Sequence, residues 1–145
     1  MRILDIIADA WGWMGVRPRA LIMQNAFGNV IFTDEDGQYW RTCPEELSCE
    51  LVARNGEDFT KLQTTDGFLE DWNMRELVER ARSTLGLPPV ERCYCLKIPA
   101  TLGGAYTLTN IGTNDRAELI SFSGHVAKQI KDLPDGAKIR FTITD

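Results

Sequence analysis

The sequence predicts an α+β fold in which an antiparallel β-meander carries helices packed on one of its faces. Three observations support this class: an amphipathic helical stripe opens the chain, four short strand-like runs follow one another in residues 20–53, and helical periodicity dominates residues 57–86. A chain of 145 residues is long enough to bury its own hydrophobic core. We therefore expect a single domain over residues 1–145.

The first helix is expected over residues 2–13. Its apolar side chains recur at helical spacing and form one stripe, which consists of Ile3, Ile6, Ile7, Ala10 and Trp11. Arg17-Pro18 should end this segment. Asp5 and Asp9 interrupt the apolar run and no small-residue cleavage site follows, so we interpret the segment as part of the fold and the cytoplasm as the expected compartment. No apolar run approaches the ~18 residues that a membrane-spanning helix needs.

Four strands should then form the meander. Asp36-Gly37 is a strong signal for a short hairpin, because both residues favour the backbone angles of a type I′ turn. Phe27-Gly28 separates the two strands before this hairpin, and Pro44 turns the chain into the last strand. The four expected strands are residues 20–25, 29–34, 38–43 and 47–53.

The second half of the chain mixes helices with isolated strands. A break at Asn73 divides the central helical stretch and Gly86 should end it, while Asn114 or Asp115 should cap the last helix. Leu102-Gly103-Gly104 should form a turn, and so should residues 134–136. The expected helices are residues 57–62, 68–72, 74–86 and 116–133, and the expected strands are residues 93–98, 106–111 and 137–144.

The net charge of −5 is unevenly distributed along the chain. Residues 21–58 alone carry eight acidic and two basic side chains, a local charge of −6. The acidic side chains of this segment are Asp34, Glu35, Asp36, Glu45, Glu46, Glu50, Glu57 and Asp58. A surface of this kind repels nucleic acid and attracts a basic protein.

The acidic tetrad Asp34-Glu35-Asp36-Gly37 admits three interpretations. A solvated turn is the simplest, because Asp and Gly are the residues that such turns prefer. An EF-hand calcium loop needs more widely spaced carboxylates and a distal glutamate, and the tetrad is too compressed for it. A protein-binding surface is the third, because Tyr39 and Trp40 follow at once and aromatic anchors beside charges are typical of interfaces. One of these two aromatic side chains should point into the core.

The four cysteines and the single histidine could in principle form a metal or catalytic site. Cys93 and Cys95 should share one face of a strand, and a metal site would combine them with Cys43 and Cys49. These spacings do not match the C-x₂-C knuckles of zinc sites, so buried thiols are the preferred interpretation. His125 has no accompanying catalytic motif. We predict no catalytic residue, metal or cofactor, and keep a small metal-dependent hydrolase as an alternative that zinc analysis would test.

Several segments together resemble a known bacterial domain. They are Asn25-Ala26-Phe27-Gly28-Asn29, the hairpin Asp34-Glu35-Asp36-Gly37-Gln38-Tyr39-Trp40, Cys43-Pro44-Glu45-Glu46, the stretch Ile98-Pro99-Ala100-Thr101-Leu102-Gly103-Gly104-Ala105-Tyr106, and Gly124-His125-Val126-Ala127-Lys128-Gln129-Ile130 with Leu133-Pro134-Asp135-Gly136. The chain resembles the domain found at the C-terminus of GAD-like type VI secretion immunity proteins, which neutralise DNase effectors. The Phe-Gly hairpin is also similar to the broader SUKH-like immunity superfamily.

The resemblance implies a non-catalytic cytoplasmic protein that binds a DNase toxin and that itself contacts neither nucleic acid nor membrane. Combined with the charge distribution, it suggests that an acidic surface covers the active site or DNA-binding cleft of the toxin. The alternative mechanism leaves the cleft open and instead pries the toxin apart or blocks its assembly. The residues expected to bind the toxin are Asp34, Glu35, Asp36, Tyr39, Glu45, Glu46, Glu57 and Asp58. A regulatory adaptor without a toxin partner is the alternative within the binding proteins.

Overall fold

The computed structural model of the protein describes residues 2–133. Four strands form one sheet in the order β1-β2-β3-β4, and every neighbouring pair is antiparallel. These strands are β1 (Pro18–Gln24), β2 (Val30–Asp34), β3 (Tyr39–Cys43) and β4 (Ser48–Ala53). The predicted meander is therefore confirmed, and so is the α+β class.

Five helices and a second, two-stranded sheet complete the described part of the chain. The helices are α1 (Ile3–Trp11), α2 (Gly56–Gln63), α3 (Asp66–Asn73), α4 (Arg75–Leu85) and α5 (Arg116–Ile130), and the second sheet pairs β5 (Arg92–Leu96) with β6 (Ile111–Asp115) in antiparallel register. The expected break between α3 and α4 falls at Met74, whose φ of 45° is left-handed. The Asp115 carboxylate accepts a hydrogen bond from the Glu118 amide and caps α5, as predicted.

The helices cover both faces of the four-stranded sheet, whereas the sequence led us to expect them on one. Val30 and Phe32 of β2 pack against α1 and α5, while Ile31 packs on the opposite side with Phe59 of α2 and Trp72 of α3. Successive strand residues point to opposite faces, and all three β2 residues are fully buried. A continuous apolar run rather than an alternating one is the signature of a strand covered on both sides.

The second sheet lies between α4 and α5. Tyr94 and Leu96 face a cluster that includes Ala81 of α4, and Cys93 and Cys95 face Leu119 of α5. Two cysteines separated by one residue thus share a face, as the strand interpretation required.

The strand predicted at residues 106–111 is wrong in its position. Residues 106–110 form a loop that ends in a 3₁₀ turn, and the strand β6 begins only at Ile111. The Asn110 side chain explains this difference. Its amide group hydrogen-bonds the backbone of the loop, so the loop does not pair with a neighbouring strand. The turn and strand predicted at 134–136 and 137–144 lie outside the described residues.

The turn between β1 and β2 joins the two sheets. The Ala26 carbonyl accepts a hydrogen bond of 2.9 Å from the Tyr94 amide, and the Asn25 carbonyl accepts one of 3.0 Å from the Arg116 guanidinium. Gly28 has a φ of +73°, and a Cβ at this position would lie 2.9 Å from the Cys93 sulfur. The turn therefore fits closely under the second sheet and fixes Asn29, which follows it.

Candidate functional site

Asp34 supports the β2–β3 turn from inside. It is 8% exposed, and its Oδ1 accepts hydrogen bonds of 2.9 Å from the amides of Asp36 and Gln38. Its Oδ2 accepts a third bond of 2.9 Å from the Trp40 indole. Burial alone would raise the pKa of Asp34, but these three hydrogen bonds outweigh it and hold the pKa below its usual value. The three groups that donate to its carboxylate all belong to its own hairpin.

The aromatic residues beside the turn both pack inward. The Tyr39 ring stacks on Phe59 with centroids 4.3 Å apart and is half-buried. Trp40 packs with the core cluster on the opposite face of the sheet. The prediction that only one of the two faces a core is wrong, because helices cover both faces of the sheet and create a second core.

Four of the predicted toxin-binding carboxylates are exposed at one end of the sheet. Glu35 and Asp36 lie on the β2–β3 turn, and Glu57 and Asp58 lie in the first turn of α2. Pairing of Tyr39 with Ala53 brings this turn to the end of the sheet from which α2 starts. We call these four residues the tip surface. Arg17 lies 3.7 Å from Glu35 and Lys61 lies 3.6 Å from Glu57, and each of these ion pairs is exposed.

Glu45 and Glu46 lie at the opposite end of the sheet, in the 3₁₀ turn that connects β3 to β4. The five residues of β3 separate them from the tip surface by roughly 14 Å of strand. The structure thus divides the predicted residues into two groups that do not meet.

Glu45 forms the centre of a buried polar network. It is 4% exposed, and its carboxylate accepts hydrogen bonds from the Asn29 amide at 2.7 and 3.0 Å and from the Cys43 thiol at 2.7 Å. Burial raises the pKa of Glu45, although these bonds and the nearby Arg41 partly counteract the effect. Asn29 in turn accepts a hydrogen bond of 2.9 Å from Arg41.

The Arg41 guanidinium is enclosed on several sides. It forms a close ion pair with Asp71 of α3 and lies 5.1 Å from the centre of the Trp72 ring. A largely buried Arg with a carboxylate partner, an amide partner and an aromatic ring is held in one orientation. The network therefore links β3 to α3.

The loop of residues 98–110 closes over this region. The Thr101 hydroxyl donates to the Glu46 carbonyl at 2.6 Å, and the Tyr106 hydroxyl donates to the Glu46 carboxylate in a very short contact. Asn110 holds the loop through its Oδ1, which accepts from the Ile98 amide at 3.0 Å, and its Nδ2, which donates to the carbonyls of Ile98 and Ala105 at 2.9 Å. These hydrogen bonds fix the course of the loop and place Tyr106 beside the β3–β4 connection.

Three adjoining cavities run from this connection along α3 and α4. Their volumes are about 380, 830 and 400 Å³; the first two share Met74 and Tyr106, and the last two share Glu76 and Arg80. We call this continuous surface the α4 groove. Eight carboxylates line it against three guanidiniums: Glu45, Glu46, Glu50, Asp66, Glu70, Asp71, Glu76 and Glu79, with Arg41, Arg75 and Arg80.

Sequence reasoning missed the α3 and α4 part of this acidic surface. Residues 59–92 have a net charge of only −1, because five basic side chains, of which only Arg75 and Arg80 line the groove, nearly balance six acidic ones. The available signal was helical spacing. Asp66, Glu70 and Asn73 are four and three residues apart, which places them on one face of α3.

The thiols and the histidine do not assemble into a metal site in the part of the chain that the structure describes. Cys43, Cys49, Cys93 and Cys95 are all buried and free, as the buried-thiol interpretation predicted. Within residues 2–133, no three His, Cys, Asp or Glu side chains are arranged to hold a metal ion. His125 is exposed on α5, with its Nε2 3.4 Å from Asp9 of α1.

The protein thus combines elements that are cross-linked by hydrogen bonds with a surface on which acidic side chains outnumber basic ones. This combination is suited to binding a partner protein. Residues 53–127, just over half of the chain, match the family described as T6SS immunity protein Tdi1, C-terminal. The chain belongs to this family of type VI secretion immunity proteins, and the resemblance found in the sequence is confirmed. The matched segment contains α2, α3 and α4, the loop 98–110 and the second sheet.

A solved structure has a similar fold. The crystal structure of Atu4351 from Agrobacterium tumefaciens superposes with a TM-score of 0.56 and 18% sequence identity, over 85% of this chain and 62% of that one. The chain thus spans 62% of the length of that protein. No curated protein matches the chain. Among the described residues, no helix has the length and apolar character needed to cross a membrane.

Proposed function

We propose that this protein binds a cognate type VI DNase effector in the cytoplasm and blocks DNA cleavage without catalysing a reaction. Membership in the immunity family implies an effector partner. The proposal that this effector is a DNase whose DNA cleavage is blocked rests on the surplus of exposed carboxylates. A DNase must present a basic cleft to phosphates, and an acidic protein surface can occupy or cover that cleft in place of DNA.

We assign effector contact to the five predicted carboxylates that are exposed, namely Glu35, Asp36, Glu46, Glu57 and Asp58. Asp34, Tyr39 and Glu45 then act as supports, because each is buried or half-buried within the fold. Glu46 accepts a hydrogen bond from Tyr106, but its side chain is exposed. The tip surface projects beyond the sheet, so its charges are placed to accelerate encounter with a basic partner.

The proposal is tested by recovering the effector. The tagged protein is purified from producing cells, bound proteins are identified after a moderate salt wash, and the wild-type protein is titrated into a DNA-cutting assay of the recovered partner. A partner that cuts DNA and is inhibited at a one-to-one ratio supports the proposal. A partner without nuclease activity would instead favour the adaptor alternative, and stoichiometric zinc in the purified chain would favour the hydrolase.

The role of the tip surface is tested with Glu35→Gln/Asp36→Asn. Asp34 stays unchanged so that the turn remains folded. We expect association with the recovered DNase to slow by up to about 10-fold at low salt and to depend less on salt concentration. The control Glu91→Gln/Asp132→Asn removes the same charges from exposed positions elsewhere. Equal association kinetics for the two variants would remove the tip surface from the mechanism.

A further inference from the structure

We infer that the α4 groove is the docking site for a basic segment of the effector and that Tyr106 is its central anchor. The inference rests on the proposed function, because it names the surface through which that effector is held. It also gives the two ends of the molecule different tasks. The tip surface accelerates encounter, and the groove makes the contacts that retain the partner.

The groove has the dimensions and the mixed lining of a protein-binding site. Its central cavity of about 830 Å³ combines the apolar side chains of Leu69, Met74 and Leu77 with charged ones, and it opens at both ends into smaller cavities. Tyr106 is 42% exposed and stands at the junction of the two larger cavities. An amphipathic ring at the centre of a groove, surrounded by polar groups, is the arrangement found at interface hot spots.

The charge of the groove selects a basic occupant. Arg41 is already engaged by Asp71 and Asn29. Within residues 2–133, Glu70 and Glu76 form no ion pair, and both side chains are exposed along the groove. A lysine or arginine of a partner would supply the missing counter-charge. A nucleic acid would instead meet a lining in which eight carboxylates outnumber three guanidiniums, and its phosphates would be repelled overall.

The groove is also preformed. Its loop wall is held by Asn110 and by the Thr101 hydroxyl bond to Glu46, and its floor is held by the buried Glu45 network. A partner that binds a rigid surface loses less free energy to ordering than one that binds a mobile loop. Slow dissociation is therefore the property that this geometry favours.

The main test compares two matched charge reversals against the purified DNase recovered with the wild-type chain. Glu70→Lys/Glu76→Lys alters the groove, and Glu35→Lys/Asp36→Lys alters the tip surface with the same change in net charge. We expect the groove variant to dissociate roughly 30-fold faster or more, the effect of losing a hot spot. We expect the tip variant to associate more slowly with nearly unchanged dissociation.

Tyr106→Ala should reproduce the faster dissociation, whereas Tyr106→Phe, which retains the ring, should keep most of the affinity. Circular dichroism and urea unfolding confirm that each variant is folded. Wild-type dissociation rates for both the groove variant and Tyr106→Ala would overturn the inference while leaving the proposed function intact. The groove variant is also examined by sedimentation. If its only defect were altered self-association, the groove would be the contact site for a second copy of the chain, and the inference would be overturned.

A second arm does not depend on the DNase. In an NMR titration with a short arginine-rich peptide, we expect the amide shifts to cluster at Met74, Leu77 and Tyr106. Shifts confined to the tip surface, or spread evenly over all acidic residues, would contradict the inference. If the recovered partner proves not to be a nuclease, the proposed function fails and the peptide result alone decides whether the groove prefers a basic segment.

Discussion

Gly104 is the position at which one added methyl group should disturb the α4 groove most. A Cβ built on Gly104 lies 1.8 Å from the Ile98 carbonyl oxygen and 2.8 Å from the Asn110 Nδ2. Neither neighbour is the free end of a flexible side chain, because the first is backbone and the second is held by two hydrogen bonds. Gly104→Ala must therefore move the backbone of the loop.

The size of the effect follows from the bonds that the loop would lose. Asn110 Nδ2 donates two hydrogen bonds of 2.9 Å, to Ile98 and Ala105, and the Gly104 amide donates one of 3.0 Å to the Pro99 carbonyl. At about 1 kcal/mol for each bond, we expect Gly104→Ala to lower the free energy of unfolding by about 2–3 kcal/mol. Displacement of Tyr106 should weaken effector binding in addition.

Urea unfolding at neutral pH measures this loss, and Gly67→Ala is the matched control. Gly67 lies in α3, and a Cβ there has no atom within 4 Å. The same glycine-to-alanine change should therefore raise helix propensity and stabilise the protein by up to about 1 kcal/mol. If Gly104→Ala unfolded at the same urea concentration as the wild type, the argument from the short Cβ distances would be refuted. The loop would then have to accommodate the methyl group without losing its hydrogen bonds.

Two further predictions concern buried titratable groups. Asp34→Asn should lower the free energy of unfolding at pH 7 by about 1–2 kcal/mol, because an amide cannot accept from both the turn amides and the Trp40 indole. The pKa of Asp34 is lower in the folded state than in the unfolded chain, so its contribution to stability is complete at neutral pH and is lost as the pH falls below about 4. The difference in unfolding free energy between wild type and Asp34→Asn, measured in urea, should therefore narrow at pH 3. A difference that stays constant with pH would contradict the assignment. Burial raises the pKa of Cys49 to about 12 and of Cys93 to about 11, and raises those of Cys43 and Cys95 as well. In the native protein at pH 8, all four thiols should therefore be unreactive toward a thiol reagent, whereas all four should be labelled in denaturant. Rapid labelling of Cys43 in the native protein would contradict this and would mean that the buried network beneath the groove is accessible to solvent.

Local sequence signals predicted the elements whose geometry is set locally. The type I′ turn predicted at Asp36-Gly37 is wrong, because only Gly37 has a left-handed φ, of +79°, and its amide donates to the Asp34 carbonyl. Asp36-Gly37 still marked the hairpin, Asp115 capped α5, and Gly86, with a φ of +77°, ended α4. Each of these residues acts through its own backbone preference or through a hydrogen bond to a neighbour in the chain. The strand predicted at 106–111 was misplaced because Asn110 hydrogen-bonds Ile98, twelve residues away. That competition depends on tertiary structure.

The placement of helices on both faces could have been recognised from one feature. Val30, Ile31 and Phe32 are consecutive apolar residues, and a strand with a solvent-exposed face would alternate instead. The position of α3 against the sheet depends on Trp72 and on the Arg41–Asp71 ion pair, which join residues some thirty positions apart. No local pattern reveals that contact.

Whether an acidic side chain is buried or exposed is the property that the sequence predicts least well here. Asp34 and Glu35 are neighbours, as are Glu45 and Glu46, yet in each pair the first carboxylate is buried and hydrogen-bonded and the second is exposed. Charge counting treats all four alike. A scan that neutralises Asp34 or Glu45 along with its neighbour would therefore disturb the turn or the buried network and would report a loss of folding as a loss of binding. Only variants that spare both buried carboxylates can separate encounter at the tip surface from retention in the α4 groove.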